Sequence, residues 1–153
     1  MNRLSAKSLV IVSLGILVFT IAACVPIAAP APAPTTPANA ITDIAWHWIS
    51  VTNKTTKEST EVLEPQNYTI TFLDDGALTG MADCNSFTGM YSQDLGFTIT
   101  LEATTMATCG DDSLDQQYLE LLSAIAAGGP DGAGGLALET AGGEQRMQFE
   151  NNE

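Results

Sequence analysis

From Ile41 onward the apolar positions recur at every second residue. Ile44, Trp46 and Trp48 alternate with Ala45, His47 and Ile49, and Tyr68, Ile70 and Phe72 alternate with Thr69, Thr71 and Leu73. Phe97, Ile99 and Leu101 alternate with Thr98, Thr100 and Glu102, and Leu136 and Leu138 stand against Ala137 and Glu139. One apolar face and one face of threonine or glutamate describe antiparallel strands with one side on a core and one in water. Asp74-Asp75-Gly76 between two such runs predicts a tight hairpin, because Asp-Gly tolerates the positive φ of the favoured turns. Thr140-Ala141-Gly142-Gly143-Glu144 predicts another, ahead of Arg146–Glu150.

One segment switches to helical period. Leu114, Tyr118, Leu121, Leu122 and Ile125 fall on one stripe. Ser113 with Gln116 three residues later predicts a capping box, and Asp111, Asp112 and Asp115 suit the positive end of the helix. Gly128-Gly129-Pro130 predicts its stop. Several short strands around one helix imply a mainly β (α+β) fold, a small antiparallel, partly open barrel or curved sheet with the helix packed on it.

The first 40 residues do not belong to that domain. Arg3 and Lys7 precede a 15-residue apolar run, Leu9 to Ala23, too short to span a bilayer as a helix and followed by small residues as at a cleavage site. Ile21-Ala22-Ala23-Cys24 resembles the lipobox of bacterial lipoproteins. That resemblance implies a signal peptide over 1–23, a diacylglyceryl group on the Cys24 sulfur and membrane attachment through it. Two or more acyl chains, at about 0.8 kcal/mol per buried methylene, anchor stably where one does not. Residues 24–40 then form a spacer. Pro26, Pro30, Pro32, Pro34 and Pro37, separated mostly by alanine, favour extended polyproline II at about 3.1 Å per residue. The expected domain is 41–150, with a short tail at 151–153.

Charge narrows the partners. Beyond Cys24 the basic residues are Lys54, Lys57 and Arg146, against all 18 acidic ones. Such a surface repels nucleic acid, and no basic patch overrules it.

The candidate chemistry is sparse. His47, the single histidine, is expected as a surface residue on the strand face opposite the two indoles. An enzyme would have to use it, yet no Gly-x-Ser-x-Gly elbow or phosphate loop accompanies it. Asp111-Asp112-Ser113-Leu114-Asp115 lacks the alternating oxygens and final glutamate of a calcium loop. Zinc would need Cys84, Cys109 and His47 without a second closely spaced ligand pair. Catalytic residues, cofactor and metal are all expected to be none. Outside the cytoplasm, Cys84 and Cys109 are the two cysteines left beside Cys24, and the expectation is a structural disulfide. Two free thiols or a redox pair are the alternatives, although the short Cys-x-x-Cys spacing is missing.

Taken in order, several segments resemble the META domain of bacterial envelope lipoproteins (HslJ-like). They are Trp46-His47-Trp48, Tyr68-Thr69-Ile70-Thr71-Phe72 with Asp75-Gly76, Ala82-Asp83-Cys84-Asn85 with Gly89-Met90-Tyr91, and Thr104-Thr105-Met106-Ala107-Thr108-Cys109 before the helix. The resemblance implies a compact antiparallel, partly open barrel with one helix, and no catalytic mechanism. Gly128 to Gly135 departs from the family, which has bulkier residues there.

The functional expectation is a monomeric, non-enzymatic protein, lipid-anchored at the cell membrane or outer membrane. It would support envelope integrity or stress tolerance by binding an envelope protein or component. An exposed patch of Trp46, Trp48, Phe87 and Tyr91 would serve that role unless these residues are core. The alternative is a small-molecule or peptide binder at the open end of the barrel, with Trp48, Asn85 and Tyr91 as candidate binding residues. For Asn85 and Gly89-x-Tyr91 a purely structural role is the stronger expectation.

Overall fold

The computed structural model describes residues 41–151. The expected signal peptide, Cys24 and the proline-rich spacer lie outside the described residues. Nine strands and one helix follow in the order β1 (Ala45–Asn53), β2 (Ser59–Glu61), β3 (Tyr68–Phe72), β4 (Ala77–Ala82), β5 (Asn85–Ser92), β6 (Thr98–Thr104), α1 (Asp115–Ser123), β7 (Ile125–Pro130), β8 (Leu136–Thr140) and β9 (Gln145–Glu150). All strand pairs are antiparallel, in the order β6-β5-β4-β3-β1-β9-β8-β7, with the short β2 added beside β1. The sheet curls until its ends approach. The Phe97 N–H, just before β6, donates to the Ala126 carbonyl of β7 at 3.3 Å. This is the partly open barrel that the period-two pattern implies.

Alternation decides what is inside. Trp46, Trp48, Ile70, Phe72, Leu78, Phe87, Leu136, Leu138, Met147 and Phe149 are buried, while the threonines between them face outward or lie half-buried. In β1 a bulge after Trp48 resets the parity, so the next inward residue is Val51. Helix α1 lays Tyr118 and Leu122 into the concave side. Tyr118 stacks on Trp48 at 5.0 Å between ring centroids and meets Tyr68 and Phe87 edge-on at 5.7 and 6.0 Å. Aromatic pairs in these geometries add about 0.5–1.5 kcal/mol each beyond their area.

Both predicted hairpins form, the first with Gly76 at φ +87°. The helix ends earlier than its apolar stripe implies. It stops at Ser123, where the Ala124 N–H closes on the Leu121 and Leu122 carbonyls, and Ile125 already pairs with Thr140 in β7. Ile125 reaches the core as a strand residue, which is why its spacing mimics another helical turn. Gly128-Gly129-Pro130 is therefore the second half of an edge strand and no helix stop. A Cβ on Gly128 would lie 2.4 Å from Leu138 Cδ2 and 3.1 Å from the Ala137 carbonyl oxygen, so a side chain here meets the neighbouring strand. The connection to β8 is ordered by Asp131, whose Oδ1 accepts from the Ala133 and Gly135 N–H groups at 2.7 and 2.9 Å.

The capping box is also replaced. The Ser113 hydroxyl accepts the Asp115 N–H at 3.2 Å in place of that of Gln116, and the Tyr68 hydroxyl accepts the Leu114 N–H at 2.9 Å. A core tyrosine thereby fixes the start of the helix.

Candidate functional site

The site grows from the turn between β4 and β5. Asp83 takes a left-handed conformation, φ +56°, and its N–H donates to the Asn67 carbonyl at 2.8 Å. The chain reverses within two residues, leaving Cys84 at the surface and Asn85 as the first residue of β5. Cys84 is bonded to Cys109, with Cα atoms 5.5 Å apart. So joined, neither sulfur is available as a nucleophile or a zinc ligand.

Asn85 is 3 % exposed and makes every hydrogen bond its amide allows. Its Oδ1 accepts the Ala107 N–H at 2.7 Å and the Thr105 hydroxyl at 3.2 Å. Its Nδ2 lies within donating distance of the Ala107 carbonyl at 3.0 Å, Asp115 Oδ2 at 3.1 Å and Cys109 Sγ at 3.2 Å. One side chain therefore ties the Thr104–Gly110 loop to the sheet on one side and the first residue of α1 on the other. Beyond Asn85, the loop and the helix enclose a recess of about 470 Å³ lined by Met106, Ala107, Leu119, Thr105, Asp115 and Gln116 among others. Its volume is in the range of small-molecule sites. Met106, 95 % exposed, forms its rim.

The aromatic candidates lie elsewhere. Trp48 is completely enclosed between Tyr68 and Tyr118, and its Nε1 donates to the Ser50 carbonyl at 2.8 Å. Trp46 and Phe87 are equally buried, and Trp46 Nε1 donates to the Ile41 carbonyl at 2.9 Å. Tyr91 is half-buried against Phe72 and Phe97, with its hydroxyl donating to the Leu73 carbonyl at 3.0 Å. Burial raises the Tyr91 pKa first, and Asp74, Asp43 and Asp75 add to it. The expected exposed patch is thus corrected: these rings share the inward face of their strands, Trp46, Trp48 and Phe87 within the core and Tyr91 packed against it. Trp48 is out of a ligand's reach, and Asn85 has no bonding capacity left for one. Among the described residues the large exposed apolar ones are Leu63, Met81, Met90, Leu95 and Met106.

His47 does face away from the indoles, between Thr69 and Glu150 on the neighbouring strands, but it is half-buried and its Nδ1 is enclosed without a hydrogen-bond partner among the described residues. The strongest charge cluster is structural. Glu139 accepts from Lys54 Nζ at 3.0 Å and from Arg146 at 3.1 Å across the β8–β9 hairpin. The hydrogen bond from Lys54 is the first cause holding its carboxyl below the ordinary value.

Sequence reasoning named Asn85, Cys84 and Cys109 but missed Met106, Asp115, Gln116 and Leu119 as neighbours of one recess. The loop has no periodicity, so the signal lay only in two facts, that Cys109 is tethered to Cys84 and that α1 begins six residues later.

The fold has parallels. The family model described as META domain matches residues 39–153. No curated protein matches the chain significantly. A crystal structure of a DUF4847 family protein from Bacteroides vulgatus is similar with a TM-score of 0.54, over 73 % of this chain and 94 % of that one, at 18 % identity. At that identity the likeness is one of fold alone. The match over residues 39–153 covers most of the chain, which belongs to the META domain family.

Proposed function

We propose that this is a lipid-anchored protein of the cell envelope whose META domain works by binding, without turnover, and that the recess beside Met106 is where it meets an envelope protein or component. The observation that carries the binding reading is the recess itself, about 470 Å³ in volume against a loop that Asn85 and the disulfide hold in place. A preformed site of this kind avoids the ordering cost of assembling on contact. The anchor rests on the lipobox-like Ile21-Ala22-Ala23-Cys24. A disulfide in the domain suits an oxidising compartment.

Two measurements test this. Mass spectrometry of unreduced protein extracted from membranes is expected to give a mature chain starting at diacylated Cys24; an unmodified N-terminus overturns the anchor. A photo-crosslinking amino acid at Met106 in intact cells is expected to give a discrete adduct that the same group at Thr79, on the outer sheet face, does not. Identical adducts from both positions, or none, overturn the site.

A second reading, a small-molecule or peptide ligand near the open end of the barrel, is favoured by a larger recess. About 800 Å³ lies between Val62, Leu63, Tyr68 and Leu114, where Leu63 is 92 % exposed. Leu63→Ser is then expected to abolish a ligand-induced thermal shift without lowering the melting temperature of the free protein. A shift that survives the substitution refutes it.

A further inference from the structure

We propose that the Met106 recess takes a primary ammonium group on an aliphatic stem. This names the ligand class for the binding site proposed above and rests on that reading. Asp115 is the one ionisable side chain on its wall, among apolar surface from Met106, Ala107 and Leu119. Oδ2 of Asp115 is engaged by Asn85 at 3.1 Å, while Oδ1 makes no hydrogen bond among the described residues. Because Asn85 is itself locked by Ala107 and Thr105, the carboxylate is held in one position with one oxygen left for a donor.

No cation of the domain serves that oxygen. Lys54 and Arg146 are both bound to Glu139, and Lys57 Nζ donates to the Lys54 carbonyl at 2.6 Å. The start of α1 brings the positive helix end, worth roughly half a charge. Asp115 outweighs it alone, and Asp111 and Asp112 precede it by three or four residues. The local field therefore selects cations. Met106 and Leu119 would cover a methylene stem, leaving the ammonium to reach the carboxylate. A free small amine and the lysine side chain of a partner protein present the same chemistry.

The test uses the full chain in non-ionic detergent, labelled with ¹⁵N, and n-butylammonium as probe. Saturable shifts are expected in the amides of Thr105–Cys109 and Asp115–Leu119, with a dissociation constant of order millimolar for so small a ligand. Butanol and butyrate are expected to leave them unmoved. Asp115→Asn keeps an oxygen for Asn85 and should weaken binding about tenfold, the difference between a charge-assisted and a neutral hydrogen bond. Gln116→Lys, at an exposed position, supplies a built-in ammonium and should abolish binding at an unchanged melting temperature. Shifts spread over every acidic segment, equal binding of butanol, or indifference to both substitutions overturns the proposal. If Nα-acetyl-lysine methylamide saturates the same amides within a few-fold, the source is a partner's lysine; if only the free amine does, it is a small amine. The lipid anchor and the cross-linked adduct can fail while butylammonium binding holds, so the two readings are separable.

Discussion

Replacing Asn85 by alanine removes the clamp on the Thr104–Gly110 loop while leaving the disulfide intact. Five contacts go with it, to Ala107 twice and to Thr105, Cys109 and Asp115 once each. They do not count equally. Ala107 is exposed, so its freed N–H and carbonyl can turn to water, and each of those bonds is worth its net value of about 0.5–1.5 kcal/mol. The bond to the Asp115 carboxylate is worth more, about 1.5–3 kcal/mol, and the contact to sulfur little. Part of the sum is recovered as the loop gains freedom, which leaves a destabilisation of about 2–4 kcal/mol. For a domain of this size that lowers the melting temperature by roughly 8–16 °C, at about 4 °C per kcal/mol.

Urea unfolding without reductant reads this directly. The midpoint is expected to fall while the slope stays the same, since the disulfide still restricts the unfolded chain. Asn85→Asp sharpens the test. It keeps the oxygen that accepts from Ala107 and Thr105 but sets a second carboxylate against Asp115. It should be the worse substitution at pH 7 and recover part of its loss on acidification, as one of the pair protonates. A loss below 1 kcal/mol for Asn85→Ala, or no pH difference between the two variants, would show that the disulfide alone holds the loop.

Three further outcomes follow from the same coordinates. Cys84→Ser with Cys109→Ser opens a 25-residue loop and is expected to cost about 3.5 kcal/mol in the chain-entropy picture, measured by urea unfolding against the oxidised parent. Tyr118→Phe removes a fully buried hydroxyl without a hydrogen-bond partner among the described residues, so it should be neutral or raise stability by up to about 1 kcal/mol; a loss above that refutes the packing described around it. On the acid side, Glu139 and Asp131 have depressed folded pKa values, Glu139 first through Lys54 and Asp131 first through the Ala133 and Gly135 N–H groups. A depressed carboxylate contributes stability above its unfolded value that is lost as pH falls through the folded one. Stability should therefore drop below about pH 4, and Glu139→Gln should flatten that drop in a pH series of thermal melts; an unchanged slope sinks the assignment.

Much of the fold was legible because strand parity is a local property. The tryptophans at 46 and 48 share the parity of Ile70 and Phe72, and the register sets Trp46 against Ile70. That parity alone points them inward, so the core reading was the one their pattern carried. Strand β7 was not legible. Ala126-Ala127-Gly128-Gly129 has no branched or aromatic residue, and pairing with β8 makes it a strand, with glycine demanded by Leu138 from across the sheet. Gly80 makes the same point in β4: a Cβ there would stand 2.4 Å from the Phe87 ring and 2.2 Å from the Thr69 carbonyl. Such requirements come from neighbours distant in sequence and leave no periodic trace.

The site was less legible than the fold for a related reason. Aromatic and amide side chains have the same chemistry in a core as in a binding surface, and what separates them is whether their bonding capacity is already used. Trp48 is spent on Tyr118 and Ser50, Tyr91 on Leu73, and Asn85 on four partners. Asp115 is the reverse case, an acid that the sequence placed only at a helix start, lining a recess with one carboxylate oxygen committed and the other without a hydrogen bond among the described residues. The residues that look most functional in the sequence thus build the frame, and unused capacity sits on the residue the frame holds still. In a domain with three basic side chains, two of them on Glu139 and the third on a backbone carbonyl, that capacity is open to a cation from outside.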